Sequence, residues 1–174
     1  DANGGTCDTA TGDINGGQSM RTLPEPTRDG YSFDGWYTEK TAGDEITIDM
    51  IPAGRDITVY AHWTLVDYAI RYDLAGGVLP SGKTNPSSYT VETAAFTLAN
   101  PVRTGYTFTG WSGTGLEGSA NKIVSVAKGN TGEREFTAHW LEASYGITYN
   151  KNGGTIANES SYGAYTYGTG LTLP

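Results

Sequence analysis

One cysteine, two methionines and four phenylalanines in 174 residues leave little room for several common chemistries. Cys7 cannot close an internal disulfide, and nothing flanking it lowers a thiol pKa. It reads as a half-buried hairpin residue rather than a reactive thiol or a thioester joined to Gln18. Positive charge is scarce too: 11 Lys and Arg against 19 Asp and Glu give a formal net charge of −8. Phosphate backbones and anionic lipid would repel such a surface, which argues against nucleic acid and membrane-surface partners. No apolar run approaches a bilayer span, so membrane insertion is not expected. The chain does not open on a signal-peptide pattern. Apolar residues nowhere recur at spacings of three and four over three turns, which excludes long helices.

Glycine and tyrosine are what the chain has instead. Its 25 glycines are about twice average usage. With 12 tyrosines and abundant Thr and Ser, this composition belongs to short strands joined by many turns. The fold class it predicts is mainly β, with little helix.

The chain is organised around Gly105-Tyr106-Thr107-Phe108-Thr109-Gly110-Trp111, which has a copy at Gly30-Tyr31-Ser32-Phe33-Asp34-Gly35-Trp36. Tyr and Phe two apart share one side of a strand, and the Gly before each Trp breaks the alternation, which suits a bulge or the start of a tight bend. Other stations repeat in step. Asp1-Ala2-Asn3-Gly4-Gly5, Asp73-Leu74-Ala75-Gly76-Gly77 and Asn150-Lys151-Asn152-Gly153-Gly154 are versions of one turn. Leu23 with Pro26, Leu98 with Pro101, and Leu173 mark the next station, and Ala61-His62-Trp63 and Ala138-His139-Trp140 close the first two copies. These marks divide the chain into repeat 1 (1–66, without its first strand), repeat 2 (67–143, complete) and the first hairpin of repeat 3 (144–174). Both ends look cut from a longer array.

Within repeat 2, Ile70, Tyr72 and Leu74 alternate as a first strand. Residues 81–88 read as a loop and Tyr89–Leu98 as a second strand. Ser112–Gly115 form a flexible crossing, and Lys122–Val126 a short strand. In the last strand Phe136, Ala138 and Trp140 face one way, as Val59, Ala61 and Trp63 do in repeat 1, with His62 and His139 on the other face. The links 64–67 and 141–144 contain neither Gly nor Pro and are short, which favours a stiff string of modules.

Catalytic and metal-binding patterns are weak beside these. His62 and His139 occupy equivalent positions, which points to a structural role, and no Cys/His/Asp cluster has zinc spacing. Asp8, Asp13, Asp44, Glu45, Asp49 and Asp56 are scattered without a calcium-loop pattern. Ser87-Ser88 and Ser160-Ser161 lack a nucleophile context, and Gly113-Thr114-Gly115 lacks the lysine and helix of a phosphate loop. A hydrolase would need paired acids in a cleft that a module of this size hardly provides. No acidic residue stands visibly beside Lys40, Lys83 or Lys122 to support an isopeptide crosslink. The expectation is therefore no enzyme, no cofactor and no metal. A small module without disulfides must bury its aromatics, so Tyr31, Phe33, Trp36, Trp63, Tyr106, Phe108, Trp111 and Trp140 are the expected structural core. Tyr145, Tyr149, Tyr162, Tyr165 and Tyr167 are freer to make contacts.

Asn-Gly-Gly, Leu-x-x-Pro-x-Arg-x-Gly-Tyr-x-Phe-x-Gly-Trp and Ala-His-Trp in this order resemble the Listeria–Bacteroides repeat, also known as the internalin B-repeat. The resemblance covers nearly the whole chain, with departures at Ala75, where the turn usually carries Asn, and at Ser112, where repeat 1 has Tyr37. It implies tandem small β-rich modules with a grasp-like curled sheet, related to ubiquitin-like and mucin-binding modules. It further implies an extracellular location, on the bacterial cell surface or cell wall. There the segment would serve as a spacer or stalk presenting a head domain in an adhesin-like protein. The alternative is a binding module whose partner is a host glycan or surface glycoprotein. An isolated third-repeat hairpin would be marginal alone. Strand exchange between chains through residues 145–150 is therefore one expected support, and packing of the overhang on the preceding repeat is its rival.

Overall fold

The structure is a computed structural model that describes residues 1–8, 23–47, 50, 56–157 and 163–170. The expectations placed on Asp13, Gln18, Asp49, Ser160-Ser161, Tyr162 and Leu173 lie outside the described residues. Ten strands occur in the order β1 (Tyr31–Tyr37), β2 (Tyr60–Leu65), β3 (Tyr68–Asp73), β4 (Ser88–Tyr89), β5 (Phe96–Thr97), β6 (Tyr106–Gly113), β7 (Ser125–Val126), β8 (Arg134–Glu142), β9 (Ser144–Gly146) and β10 (Ala164–Thr166). The fold is mainly β, in small separate sheets, and no α-helix occurs among the described residues.

Contacts divide the chain into two bodies. The first comprises Asp1–Tyr68, Ser88–Ala94 and Ala127–Gly132, and the second Ala69–Ser87, Ala95–Val126 and Glu133–Pro174. Segments 88–94 and 127–132 thus belong with the first body, although both follow β3 in the sequence.

In the first body β1 and β2 pair antiparallel, with Phe33 opposite Trp63 and Gly35 opposite His62, so one residue bulges out between them. In the second body β6 and β8 repeat this pairing, with Phe108 opposite Trp140, Gly110 opposite His139 and the same register shift. Of the bulge or tight bend expected before each Trp, the bulge is what occurs, in both copies. Gly35 at φ 140° and Gly110 at φ 151° hold backbone conformations that side chains resist. On its other edge β8 runs parallel to β3, with Ile70 opposite Arg134 and Tyr72 opposite Phe136. Its inward alternation follows the reading of Phe136 and Ala138, which are both buried.

Three strand expectations need correction. The one over Lys122–Val126 shortens to Ser125–Val126. Tyr89–Leu98 is not one strand: β4 ends at Tyr89 and β5 starts at Phe96. Between them the Thr93 N–H donates to the Thr90 carbonyl at 3.1 Å, and the Thr90 N–H donates to Thr93 Oγ1 at 2.9 Å. Threonine side chains at that spacing satisfy the backbone locally and divert it from a ladder. The crossing expected from Ser112 onward begins later, because β6 continues through Gly113.

The core of the second body gathers Ile70, Leu98, Trp111, Val124, Val126, Phe136 and Ala138, all buried. Tyr72 lies against it, its ring 6.2 Å from Trp111 and 6.0 Å from Phe136. Its hydroxyl donates to the Pro86 carbonyl at 2.9 Å, and burial pushes the phenol pKa up to about 12. In the first body Trp36 and Ala61 are buried. Strands β9 and β10 pair antiparallel, with Tyr145 opposite Tyr165.

Candidate functional site

The aromatic stretch, the Gly-Gly turn and the closing Ala-His-Trp strand meet in one place in each repeat. In repeat 1 the Phe33 ring lies edge-on to Trp36 and to Trp63, with 5.6 Å between centroids in both pairs. In repeat 2 Phe108 stands 5.5 Å from both Trp111 and Trp140 in the same geometry. Edge-to-face packing aligns ring edges with ring faces and adds to the burial term. Trp36 and Trp111 are buried, while Phe33, Phe108, Trp63 and Trp140 are half-buried.

Each indole N–H has an acceptor. Trp63 donates to the Ala2 carbonyl at 3.0 Å and Trp140 to the Leu74 carbonyl at 3.1 Å, so the closing Trp bonds to the turn that opens its repeat. The second glycine of that turn is needed for this approach. A Cβ on Gly5 or Gly77 would lie 2.4 Å from the Trp63 or Trp140 ring. The sequence had suggested only that paired glycines ease a tight turn. The first residue of each turn adds an Asx hydrogen bond: the backbone N–H of Asn3, Ala75 and Asn152 donates to the side chain of Asp1, Asp73 and Asn150.

Tyr31 and Tyr106 are placed differently from the other aromatics. The guanidinium of Arg28 sits 3.7 Å from the centre of the Tyr31 ring, and Arg103 is 3.7 Å from that of Tyr106. Arg103 also donates to the Ala75 carbonyl at 3.1 Å, tying the aromatic strand to the turn. Both tyrosines are half-buried and reach beyond their own repeat. The Tyr31 hydroxyl donates to Glu92, and that hydrogen bond is the main reason its pKa is raised. Tyr106 packs edge-on to Tyr167 with centroids 6.0 Å apart.

The histidines lie at matched positions with different partners. His62 stacks flat on Tyr37 at 3.8 Å and shares a hydrogen bond with the Glu39 carbonyl. His139 instead shares a 2.7 Å hydrogen bond with Ser112 Oγ. Asp1 Oδ2 lies 3.5 Å from Lys40 Nζ, so an acid does stand beside Lys40, folded there from a distant part of the chain. The pair is solvent-exposed and contributes little to stability. Cys7 is half-buried. No cluster of His, Cys, Asp or Glu that could hold a metal occurs among the described residues. An open groove of about 560 Å³ in the first body is lined by Arg28, Tyr31, Phe33, Trp63, Tyr68 and Thr131, among others.

The model of the Listeria-Bacteroides repeat domain matches the chain twice, over residues 1–62 and 68–131. The chain belongs to that family. Internalin H of Listeria monocytogenes is 37% identical over 114 residues, covering 59% of this chain and 20% of that protein. A putative Gly-rich membrane protein of Evansella cellulosilytica is 29% identical over 160 residues, covering 85% of the chain and 18% of the relative. The chain thus spans about a fifth of the length of the curated relatives it matches. No solved structure matches it. For a Listeria-Bacteroides repeat, the residues brought together here are chiefly ring-to-ring and ring-to-backbone contacts. Their chemistry is that of a packed module.

Proposed function

We propose that this chain is a tandem-repeat spacer of an extracellular bacterial surface protein, part of a stalk that holds a head domain away from the envelope. The observation that carries this reading is the recurrence of one interlock, Phe between two Trp with the closing Trp bonded to the opening turn, in both repeats. A segment that reproduces its internal packing at a fixed interval supplies length, since each repeat adds the same increment. Membership of the Listeria-Bacteroides repeat family and the likeness to part of internalin H support a surface location.

The test is dimensional. The full chain is extended by one, two and three inserted copies of residues 67–143, and its maximum dimension is measured by small-angle X-ray scattering. A constant increment per copy is expected, and a dimension that stays flat as copies are added would overturn the spacer role.

A second reading, a module that binds a host glycan, draws on the groove beside Tyr31, Phe33, Trp63 and Tyr68. Aromatic faces beside an arginine suit sugar rings and their hydroxyls. Binding on a glycan array that disappears with Tyr68→Ala would favour it over the spacer.

A further inference from the structure

Two glycines, Gly30 and Gly105, are each covered by a side chain that comes from the following repeat. Both are buried and hold nearly the same left-handed conformation, at φ 78° and 77°. An added Cβ would stand 1.9 Å from Val91 Cγ1 at Gly30, and 2.1 Å from the Tyr167 ring at Gly105. Neither distance leaves room for any side chain.

The covering residues are equivalent. Tyr89-Thr90-Val91-Glu92-Thr93 and Tyr165-Thr166-Tyr167-Gly168-Thr169 share the pattern Tyr-Thr-x-x-Thr. Both close the same turn, the second Thr N–H donating to the first Thr carbonyl at 3.1 Å and 3.2 Å. In each case the first variable residue lies on the glycine. The closing backbone of each repeat is fixed at the same point, since the Val66 N–H donates to the Gly30 carbonyl and the Ala143 N–H to the Gly105 carbonyl, at 3.0 Å and 2.9 Å. The arginine-backed tyrosine next to each glycine also reaches the turn, but by different means: Tyr31 through its hydroxyl to Glu92, Tyr106 through its ring to Tyr167. Each set lies wholly inside one body, the first with Gly30, Val66 and Val91, the second with Gly105, Ala143 and Tyr167.

We propose that Gly30–Tyr31 and Gly105–Tyr106 are sockets by which each repeat grips the Tyr-Thr-x-x-Thr turn of the repeat that follows. The socket is the same in both copies. The plug varies in pairs: Val with Glu in one, Tyr with Gly in the other. A bulky plug needs no acid behind it, because its own ring supplies the contact. A small plug is followed by a residue that bonds to the socket tyrosine. The proposal deepens the spacer reading, since it gives each repeat a specific hold on the turn that follows it, but the joint is tested separately from the length increment.

The test is a double-mutant cycle in the full chain. Gly30→Ala combines left-handed strain with a clash against Val91, and Val91→Gly removes only the clash. The unfolding equilibrium constant of Gly30→Ala, measured by urea titration, should exceed that of the parent by at least tenfold more in the Val91 background than in the Val91→Gly background. Gly105→Ala with Tyr167→Ala should couple in the same way. Equal costs in both backgrounds would overturn the socket. Should Gly30→Ala not fold, the single variants Val91→Gly and Tyr167→Ala still decide. Amide hydrogen exchange at Val66 and Ala143 respectively should accelerate at least tenfold while that at Ala61 and Ala138 stays at the parent rate, and unchanged rates at Val66 and Ala143 would refute it. A failed cycle beside a constant length increment would sink the joint and spare the spacer.

Discussion

The two repeats reach one architecture with different fastenings. Trp36 donates its indole N–H to the Pro24 carbonyl at 2.8 Å, whereas Trp111 donates to the Asn100 side chain at 2.9 Å. Repeat 1 stacks His62 on Tyr37, and repeat 2 bonds His139 to Ser112. In repeat 1 the turn places Asn3 at φ 46°, with its side-chain amide donating to the Lys40 and Ala61 carbonyls. In repeat 2 Ala75 adopts φ 47° with no side chain to donate. The rings, the bulge and the Gly-Gly contact are held constant, and the polar attachments vary around them. Packing geometry defines this module, and hydrogen bonds are fitted to it locally.

The largest expected effect separates the two tryptophans. Trp111 is fully buried, while Trp36 retains 6% exposure. Truncating a buried aromatic costs about 3–5 kcal/mol. Trp111→Ala should fall in that range, and Trp36→Ala should cost less, as measured by urea unfolding of the full chain. Equal losses would show that the difference in burial does not set the cost.

A smaller effect tests the turns. A non-glycine residue in the left-handed region costs roughly 1–2 kcal/mol, and Asn tolerates it better than Ala. Ala75→Asn should therefore stabilise the second repeat by about 0.5–1 kcal/mol, and Asn3→Ala should destabilise the first by a similar or greater amount, since it also loses two hydrogen bonds. Calorimetry of both variants gives the comparison. A loss of stability in Ala75→Asn would mean that the surroundings of the second turn exclude the larger side chain.

The smallest effect is confined to alkaline solution. The folded Tyr72 pKa of about 12 exceeds its unfolded value near 10. The unfolded chain therefore gives up this proton first. The contribution is fully present below pH 10 and is lost as pH rises through 12. Tyr72→Phe should flatten part of the decline in unfolding midpoint over that interval, and an unchanged slope would assign the decline to other tyrosines.

Much of this could be read from residues alone, and the reason is periodicity. Gly-Trp after Tyr-x-Phe announces a bulge or a bend because glycine interrupts an alternation, and Phe136 with Ala138 announces an inward face because every second residue is apolar. The role of Gly5 and Gly77 was hidden, since the ring each must clear stands 58 and 63 positions away in Trp63 and Trp140. The break between β4 and β5 was hidden for another reason. Thr90 and Thr93 look strand-forming by propensity, and their local hydrogen bonds override it. Tyr31 and Tyr106 sit in the same motif as Phe33 and Phe108, but their contacts run to the next repeat, which a reading of each unit by itself cannot see.

The placement of Gly30 and Gly105 has a genetic consequence. Because each glycine and the residue that covers it occur at matched places in successive units, an unequal crossover that adds or removes a whole unit would again set this glycine against a Tyr-Thr-x-x-Thr turn.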